Sequence, residues 1–407
     1  MKNIKKILKK IVYIIGLITT ISLIGLILFF IYIKKINPES TEFSYNDGPY
    51  LFYLNDTIIK SVLIKDNQND NFMIYESEID LNDSIGIIQA AKNLQEGFNP
   101  LDTFQFSSEV QFNAKKIAAV SDIHGSFNHF KALLQSNAII DDSTNWSWGN
   151  GHLVIVGDVF DKGPNVTECL WLIKKLETQA NIQGGKVHFL LGNHERLILD
   201  GITEHVDIKY RAICEKLLIN YDKLYGTDTY LGRWLRTKSI IVKINNNLFV
   251  HGGISEKMVD EQFSLSDVNK HFNIWANSDH LMKYEKNTRD NIRLLTSYFG
   301  PLEYRGYFNK NIFNRGQSSA MSSQSINKIS NHFNTAHIIV GHTIVKEIKG
   351  SFDNRVIALN KEYPEDDILD DDSDCQMLII EGSDYYKAGL NGEKTLLFSD
   401  VFYDAQK

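Results

Sequence analysis

Five short stretches carry residue types able to hold a metal ion or move a proton. They are Asp122 and His124 in SDIHG, Asp158, Asp161 and Lys162 in GDVFDKGP, Asn193 and His194 in GNHE, His251 in HGG, and His342 in GHT. Singly, each has an ordinary explanation as a capping aspartate, a solvated turn or a core histidine. Together they form a pattern, because each directly follows a short apolar run, and α/β proteins place ligands at the carboxyl ends of strands. Mixed Asp, Asn and His donors suit borderline divalent ions such as manganese, iron or zinc, and two ions about 3.5–4 Å apart need a carboxylate that both share. Asp158 is the candidate bridge. The chemistry this predicts is a two-metal centre with proton-transferring groups beside it.

The elements that must position these residues follow from the apolar runs. Residues 117–120, 153–156, 187–191, 240–244 with 248–250, and 337–340 read as strands, the second of them β-branched and buried on both faces. Helices are expected over 127–134 and from 166 to about 180, so the chain from 115 onward alternates strand and helix, an α/β pattern. Residues 50–54 and 58–64 read as a hairpin after the turn Asp47-Gly48-Pro49, and 356–359, 377–380 and 396–398 as later strands. A polar, helix-like stretch over 258–293 is expected to form a lobe over one end of the sheet. The acidic run 365–374 (EDDILDDDSD) reads as a solvated loop in preference to a calcium site. Residues 47–407 are thus expected to form one catalytic domain, with 47–114 an extension and 115–407 the core.

With 43% hydrophobic and 23% charged residues the chain has the composition of a folded protein. Residues 11–33 carry no charge and are long enough, as a helix, to cross a bilayer of about 30 Å. A cleavable signal peptide is the rival reading, but its apolar core runs to about 7–15 residues, and here Lys34-Lys35-Ile36-Asn37-Pro38 follows in place of a small-residue cleavage site. Five lysines precede the span and two follow it, which predicts a cytoplasmic segment 1–10, a tether 34–46, and a catalytic domain outside the cytoplasm, periplasmic if the source is bacterial. Those seven lysines are matched by no acid, so the net charge of −7 becomes −14 beyond residue 35. Such a domain repels phosphate backbones, which argues against nucleic acid as a partner. Cys169, Cys214 and Cys375 are too far apart for a zinc pair, and a disulfide among them is not deducible.

The blocks SDIHG (121–125), GDVFDKG (157–163), GNHE (192–195), HGG (251–253) and GH (341–342) resemble those of the calcineurin-like metallophosphoesterase superfamily. The resemblance implies a β-sandwich flanked by helices with a dinuclear metal centre at the strand ends. GNHE and GHT, with Ile344 where phosphodiesterases and nucleases of this fold carry a second histidine, fit the phosphoprotein-phosphatase branch. VTECLWLIKKLE (166–177), GGKVHFLLGNHE (184–195), LGRWLRTK (231–238), FVHGGIS (249–255) and GPLEYRGYF (300–308) are similar to the Shewanella-like protein phosphatases.

The implied division of labour makes Asp122 and His124 ligands of one divalent ion, Asp158 the bridge, and Asn193, His251 and His342 ligands of the other. His194 matches the general acid and Asp161 the carboxylate that orients it. A hydroxide held between two metals is a nucleophile at neutral pH, and the departing alkoxide or phenoxide needs a proton on the far side. Lys162 stands where the family usually has arginine, replacing a bidentate fork with one compact charge. Arg305 matches a second phosphate-gripping arginine, while Arg233 and Arg236 either reach the same pocket or form surface salt bridges. The expected function is a membrane-anchored, metal-dependent phosphatase of phosphomonoesters, with phosphoprotein as substrate. A phosphatase or pyrophosphatase of nucleotides or sugar phosphates is the competing reading, and a phosphate-binding protein without turnover the third. The oligomeric state is left open.

Overall fold

Leu153 to Val156 are apolar on both sides of their strand, so that strand must be covered on both faces. The computed structural model describes residues 44–67, 71–93, 97–278, 280–308, 321–370 and 373–400, together with residues 13, 16, 19, 20 and 22–26. The last group is helical and exposed. Most of the span expected at 11–33 lies outside the described residues, among which no helix is long and apolar enough to cross a membrane. Residues up to Ser44 and the chain from Tyr45 onward are separate units.

Three sheets organise the second unit. The expected hairpin is β1 (Asp47–Tyr53) and β2 (Ile58–Asn67), extended by β3 (Asn71–Asp80). One six-stranded sheet contains β4 (Gln111–Phe112), β8 (Ile241–Ile244), β9 (Asn247–Val250), β10 (His337–Val340), β11 (Lys349–Ser351) and β12 (Val356–Ala358), in the order β11-β12-β10-β9-β8-β4. The other contains β5 (Lys116–Val120), β6 (His152–Val156), β7 (Lys186–Leu190), β13 (Gln376–Glu381), β14 (Asp384–Gly389) and β15 (Lys394–Ser399), in the order β15-β14-β13-β5-β6-β7. Here β5, β6 and β7 are parallel, with Ala119 opposite Val154 and Val154 opposite His188. Antiparallel β13 closes the free edge of β5, so the carboxyl-terminal strands complete the sheet that carries the first two motifs.

Alternation along each strand divides its side chains between two cores. Ile117, Ala119, Val154, Val156 and Leu190 meet Val242, Phe249, Ile339 and Ile357 of the facing sheet in one buried cluster, as expected of a sandwich. Ala118, Val120, Leu153 and Ile155 face the other way, into a cluster shared with Leu170, Trp171, Ile173 and Leu176 of the helix Val166–Ile182. Each large apolar side chain so buried contributes roughly 1.5–3 kcal/mol. The amino-terminal sheet is pinned through Lys209, which is 0% exposed and holds Asp47 Oδ2 at 3.0 Å and Glu168 Oε1 at 3.4 Å. The expected polar lobe is built from the helices Glu256–Asp260, Leu265–Ala276 and Lys286–Leu295. All three cysteines are buried and free.

The acidic run is only partly the solvated loop the sequence predicts. Asp367 is 3% exposed and accepts hydrogen bonds from the backbone of Asn128 and His129, from His129 Nδ1 and from Asn165 Nδ2. It supplies the carboxylate that the start of the helix Phe127–Ser136 lacks locally, since Ser126 makes no side-chain cap. Glu365, Asp366 and Asp370 remain exposed.

Candidate metal centre

Each motif begins where a strand ends, and at SDIHG, GDVFDK and GHT the chain turns by leaving the ordinary backbone regions. Asp122, His124, Asp158, Asp161, Lys162 and His342 all take φ between 47° and 69°. Left-handed backbone at non-glycine residues costs of order 1–3 kcal/mol each and persists only where the surroundings enforce it. Much of that enforcement comes from Glu195. Its buried carboxylate accepts from Gly192 N at 2.6 Å, Asp158 N at 2.9 Å, Val159 N at 2.7 Å and Phe160 N at 3.2 Å, tying the GDVFD turn to the GNHE turn. The glycine before Asn193 is required by close approach, because a Cβ on Gly192 would collide with Asp158 Oδ1.

The histidines are aimed by backbone carbonyls. His124 Nδ1 bonds to Phe160 O at 2.7 Å and His251 Nδ1 to Val156 O at 2.7 Å, so in each ring Nε2 is left to face the cluster. Around Asp158 Oδ2 stand His251 Nε2 at 3.1 Å, His124 Nε2 at 3.9 Å and His194 Nε2 at 3.9 Å. Ligand atoms of His124, Asp158 and His194 lie within 4.8 Å of one another, and so do those of Asp158, His251 and His342. Asp158 belongs to both groups, the position expected of a bridge. Asn193 Oδ1 joins the second group at 3.0 Å from His251 Nε2.

Two of the expected residues sit differently from a simple ligand list. Asp122 is in neither group of three; its Oδ1 accepts from Asn360 Nδ2 at 2.8 Å, and its Oδ2 from His342 N at 2.9 Å and from Ser121 Oγ. His194, expected as proton donor, falls in the first group because its ring is wedged between Asp158 and Asp161, whose Oδ2 holds Nδ1 at 2.6 Å. Arg305 lies at the centre as expected, donating through Nη1 to His342 O at 2.9 Å. The Lys162 backbone N–H donates to His205 O at 3.0 Å, and the His205 ring stands 5.6 Å from that of His194. His205, Ser121 and Asn360 had no signal in the sequence beyond being polar. Arg233 and Arg236 line a different cavity.

The donor set fits divalent cations. Burial works against a charged His251, yet the Asp158 and Asp122 carboxylates outweigh it and push its pKa up to about 10, so the cluster holds a positive charge where a cation belongs. His124 goes the other way, to about 3, through burial first and then the Lys162 and His194 charges, which leaves a neutral imidazole available as a ligand. His342 Nε2 is buried with no hydrogen-bond partner among the described residues.

Residues 115–346 match the family model for calcineurin-like phosphoesterases. A 185-residue stretch is 31% identical to Shewanella-like protein phosphatase 1 of Plasmodium berghei, covering 44% of this chain and 49% of that protein. Another, of 205 residues, is 23% identical to Shewanella-like protein phosphatase 2 of Arabidopsis thaliana, covering 40% of this chain and 52% of that protein. The chain thus spans about half the length of these curated relatives. The crystal structure of the cold-active protein-tyrosine phosphatase of a psychrophilic Shewanella species is 30% identical, with a TM-score of 0.69 over 86% of this chain and 99% of that one. The motifs, their convergence on one buried cluster and these matches place the chain in the calcineurin-like phosphoesterase family, as a hydrolase of phosphate esters.

Proposed function

We propose that the chain is a membrane-anchored phosphatase that removes phosphate from phosphoproteins, using two divalent ions, manganese, iron or zinc, held around Asp158. The observation that carries this reading is the His194–Asp161 pair, 2.6 Å apart, standing beside the carboxylate shared by both ligand groups. His124, Asp158 and Asp122 would hold one ion, and Asp158, Asn193, His251 and His342 the other. When bound, the ions supply Lewis acidity that makes water a nucleophile near neutral pH and offsets the charge of the phosphoryl group.

The chain's own residues do the rest. Asp161 accepts from His194 Nδ1 and so fixes the tautomer and the ring plane, leaving Nε2 to carry the proton that the leaving oxygen needs. Burial lowers the His194 pKa, but Asp158 and Asp161 together raise it above the ordinary value, which favours the proton-donating form. Lys162 and Arg305 are the cations placed to grip phosphate oxygens, and His342 O holds Arg305 in place.

A feature of the rim favours protein over nucleotide. Ser126 Oγ donates to Pro364 O at 2.7 Å, and Glu365 O lies against Gly163, so the acidic loop stands beside the Lys162 turn. An acidic rim on a chain whose net charge beyond residue 35 is −14 repels polyanions and attracts peptides with basic flanks. The full-length protein in detergent should therefore turn over basic phosphopeptides with a higher kcat/KM than nucleoside di- and triphosphates, and the reverse ranking would overturn the substrate class. The anchor rests on the uncharged run 11–33 and its lysine flanks. A reporter fused after Lys407 that works only in the cytoplasm should stay silent, and its activity would refute the proposed topology.

A further inference from the structure

Arg233 and Arg236, at the end of the helix Tyr230–Leu235, lie away from the metal centre and form no salt bridge among the described residues. They line a separate cavity of about 420 Å³, in the size range of small-molecule sites, whose walls include none of the metal-centre residues. Arg233 is held by Nε donating to Thr227 O at 2.9 Å and by its guanidinium lying 3.8 Å from the centre of the Tyr53 ring. Arg236 is held by Nη1, which donates to Tyr225 O at 2.7 Å and Gly232 O at 2.9 Å. Both Nη groups of Arg233 and Nη2 of Arg236 have no acceptor among the described residues, and neither arginine has a carboxylate within ion-pair distance there.

The carboxylates nearby do not neutralise the pair. Asp102, on the cavity wall, is taken by Lys174 Nζ at 2.9 Å and by the Tyr230 hydroxyl at 2.5 Å. Burial lowers the Arg236 pKa, and Asp228 only partly opposes it. Two fixed guanidiniums facing one cavity without counter-ions among the described residues are unusual in a chain whose net charge beyond residue 35 is −14. A different cavity among the described residues, about 380 Å³, makes the contrast, since Arg355 shares it with Asp353 and Asp400. Phe104 and Phe106 give the first cavity apolar lining, and the Phe104 ring is set edge-on against Tyr230 at 4.9 Å.

We propose that this cavity is a second anion site, separate from the metal centre, for a small organic oxyanion whose phosphate or carboxylate head is held by Arg233 and Arg236 while its apolar body lies on Phe104 and Phe106. Planar guanidiniums with free paired N–H groups match such heads, and a charged hydrogen bond lost without replacement weakens binding about tenfold or more. The test is calorimetric titration of the full-length protein in detergent with phenylphosphonate, which cannot be hydrolysed as an ester, and with benzoate. Phenylphosphonate should show two sites on the wild type. One should weaken at least about tenfold in Arg233→Ala and also in Phe106→Ala, with metal content and p-nitrophenyl phosphate turnover within about twofold of wild type. Benzoate binding at the same site would extend the ligand class to carboxylates, and its failure there would restrict it to phosphates. Unchanged stoichiometry and affinity for phenylphosphonate in both variants, or turnover lost in step with binding in Arg233→Ala, would overturn the proposal.

Discussion

The parallel strand β6 begins with the buried His152, which lies against His188 in the middle of β7, while the strand ends that lead into the metal-centre turns carry His124 and His251, and the two places differ in the charges that face them. At the start, His152 and His188 bond to each other, Nδ1 to Nε2 at 3.0 Å, with the Phe112 ring 4.7 Å from that of His188. Among the described residues no carboxylate pairs with either; burial and then the Lys186 charge push His152 down to about 4, and burial, then His152 and Lys186, hold His188 well below its ordinary value. At the end of β9, His251 is more deeply buried and goes the other way, because Asp158 and Asp122 face it, whereas His124 at the end of β5 is held low by burial and by the Lys162 and His194 charges. The backbone differs as well. The starting residues lie in regular strand, whereas Asp122, His124, Asp158 and His342 at the finishing ends are forced into the left-handed region. Buried histidine is therefore not in itself a site; carboxylates converging on strained strand ends make it one.

The largest expected break of that contrast is at His194. Replacing it with alanine removes the proton donor, so turnover of a phosphoserine peptide should fall by about 10²–10⁴-fold, while p-nitrophenyl phosphate, whose leaving group needs no proton, should lose far less. Equal losses on both esters, with metal lost as well, would make His194 a ligand instead. Next in size is Asn360→Ala. Without the hydrogen bond that fixes Asp122 Oδ1, metal affinity should weaken about 10–100-fold by metal-buffered titration, and Asn360→Gln should not restore it if reach matters. Unchanged affinity would show that Asp122 needs no support.

The smallest effect lies at the starting ends. His152 and His188 bind protons less readily folded than unfolded, so stability should be complete above pH of about 6.5 and fall as the pH drops from there towards 4. His152→Phe should flatten that part of the profile in urea unfolding by about 1 kcal/mol, after allowance for the solvent that reaches the ring. An identical slope in the variant would remove the starting-end pair from the comparison.

What the sequence made legible were residues with a local signal. Asp122, Asp158, Asn193, His251 and His342 each follow an apolar run that predicts a strand, and the structure brings all of them to one place. Residues whose roles depend on a distant partner were not legible. Asn360 lies 238 residues from Asp122, Glu195 reaches back to the turn after β6, and Asp367 caps a helix far ahead of it in the chain. The strand β14 was missed because DYYKAG is short and broken by a charge, and β3 because its apolar run Phe72 to Tyr75 gives way to the charged ESEID, while Met73 and Tyr75 stay exposed. Arg233 and Arg236 showed their spacing but not their direction, since only the packing of Tyr53 and Thr227 sets where they point.

The central claim is that Asp158 is shared by two ions, and the metal content of Asp158→Asn beside wild type tests it most directly. Asparagine keeps the shape of the side chain and removes the charge that His124, His194 and His251 face. The account predicts two divalent ions per wild-type chain by elemental analysis, and loss of both from the variant while its far-ultraviolet circular dichroism is unchanged. A folded Asp158→Asn protein that retains two ions per chain would contradict it.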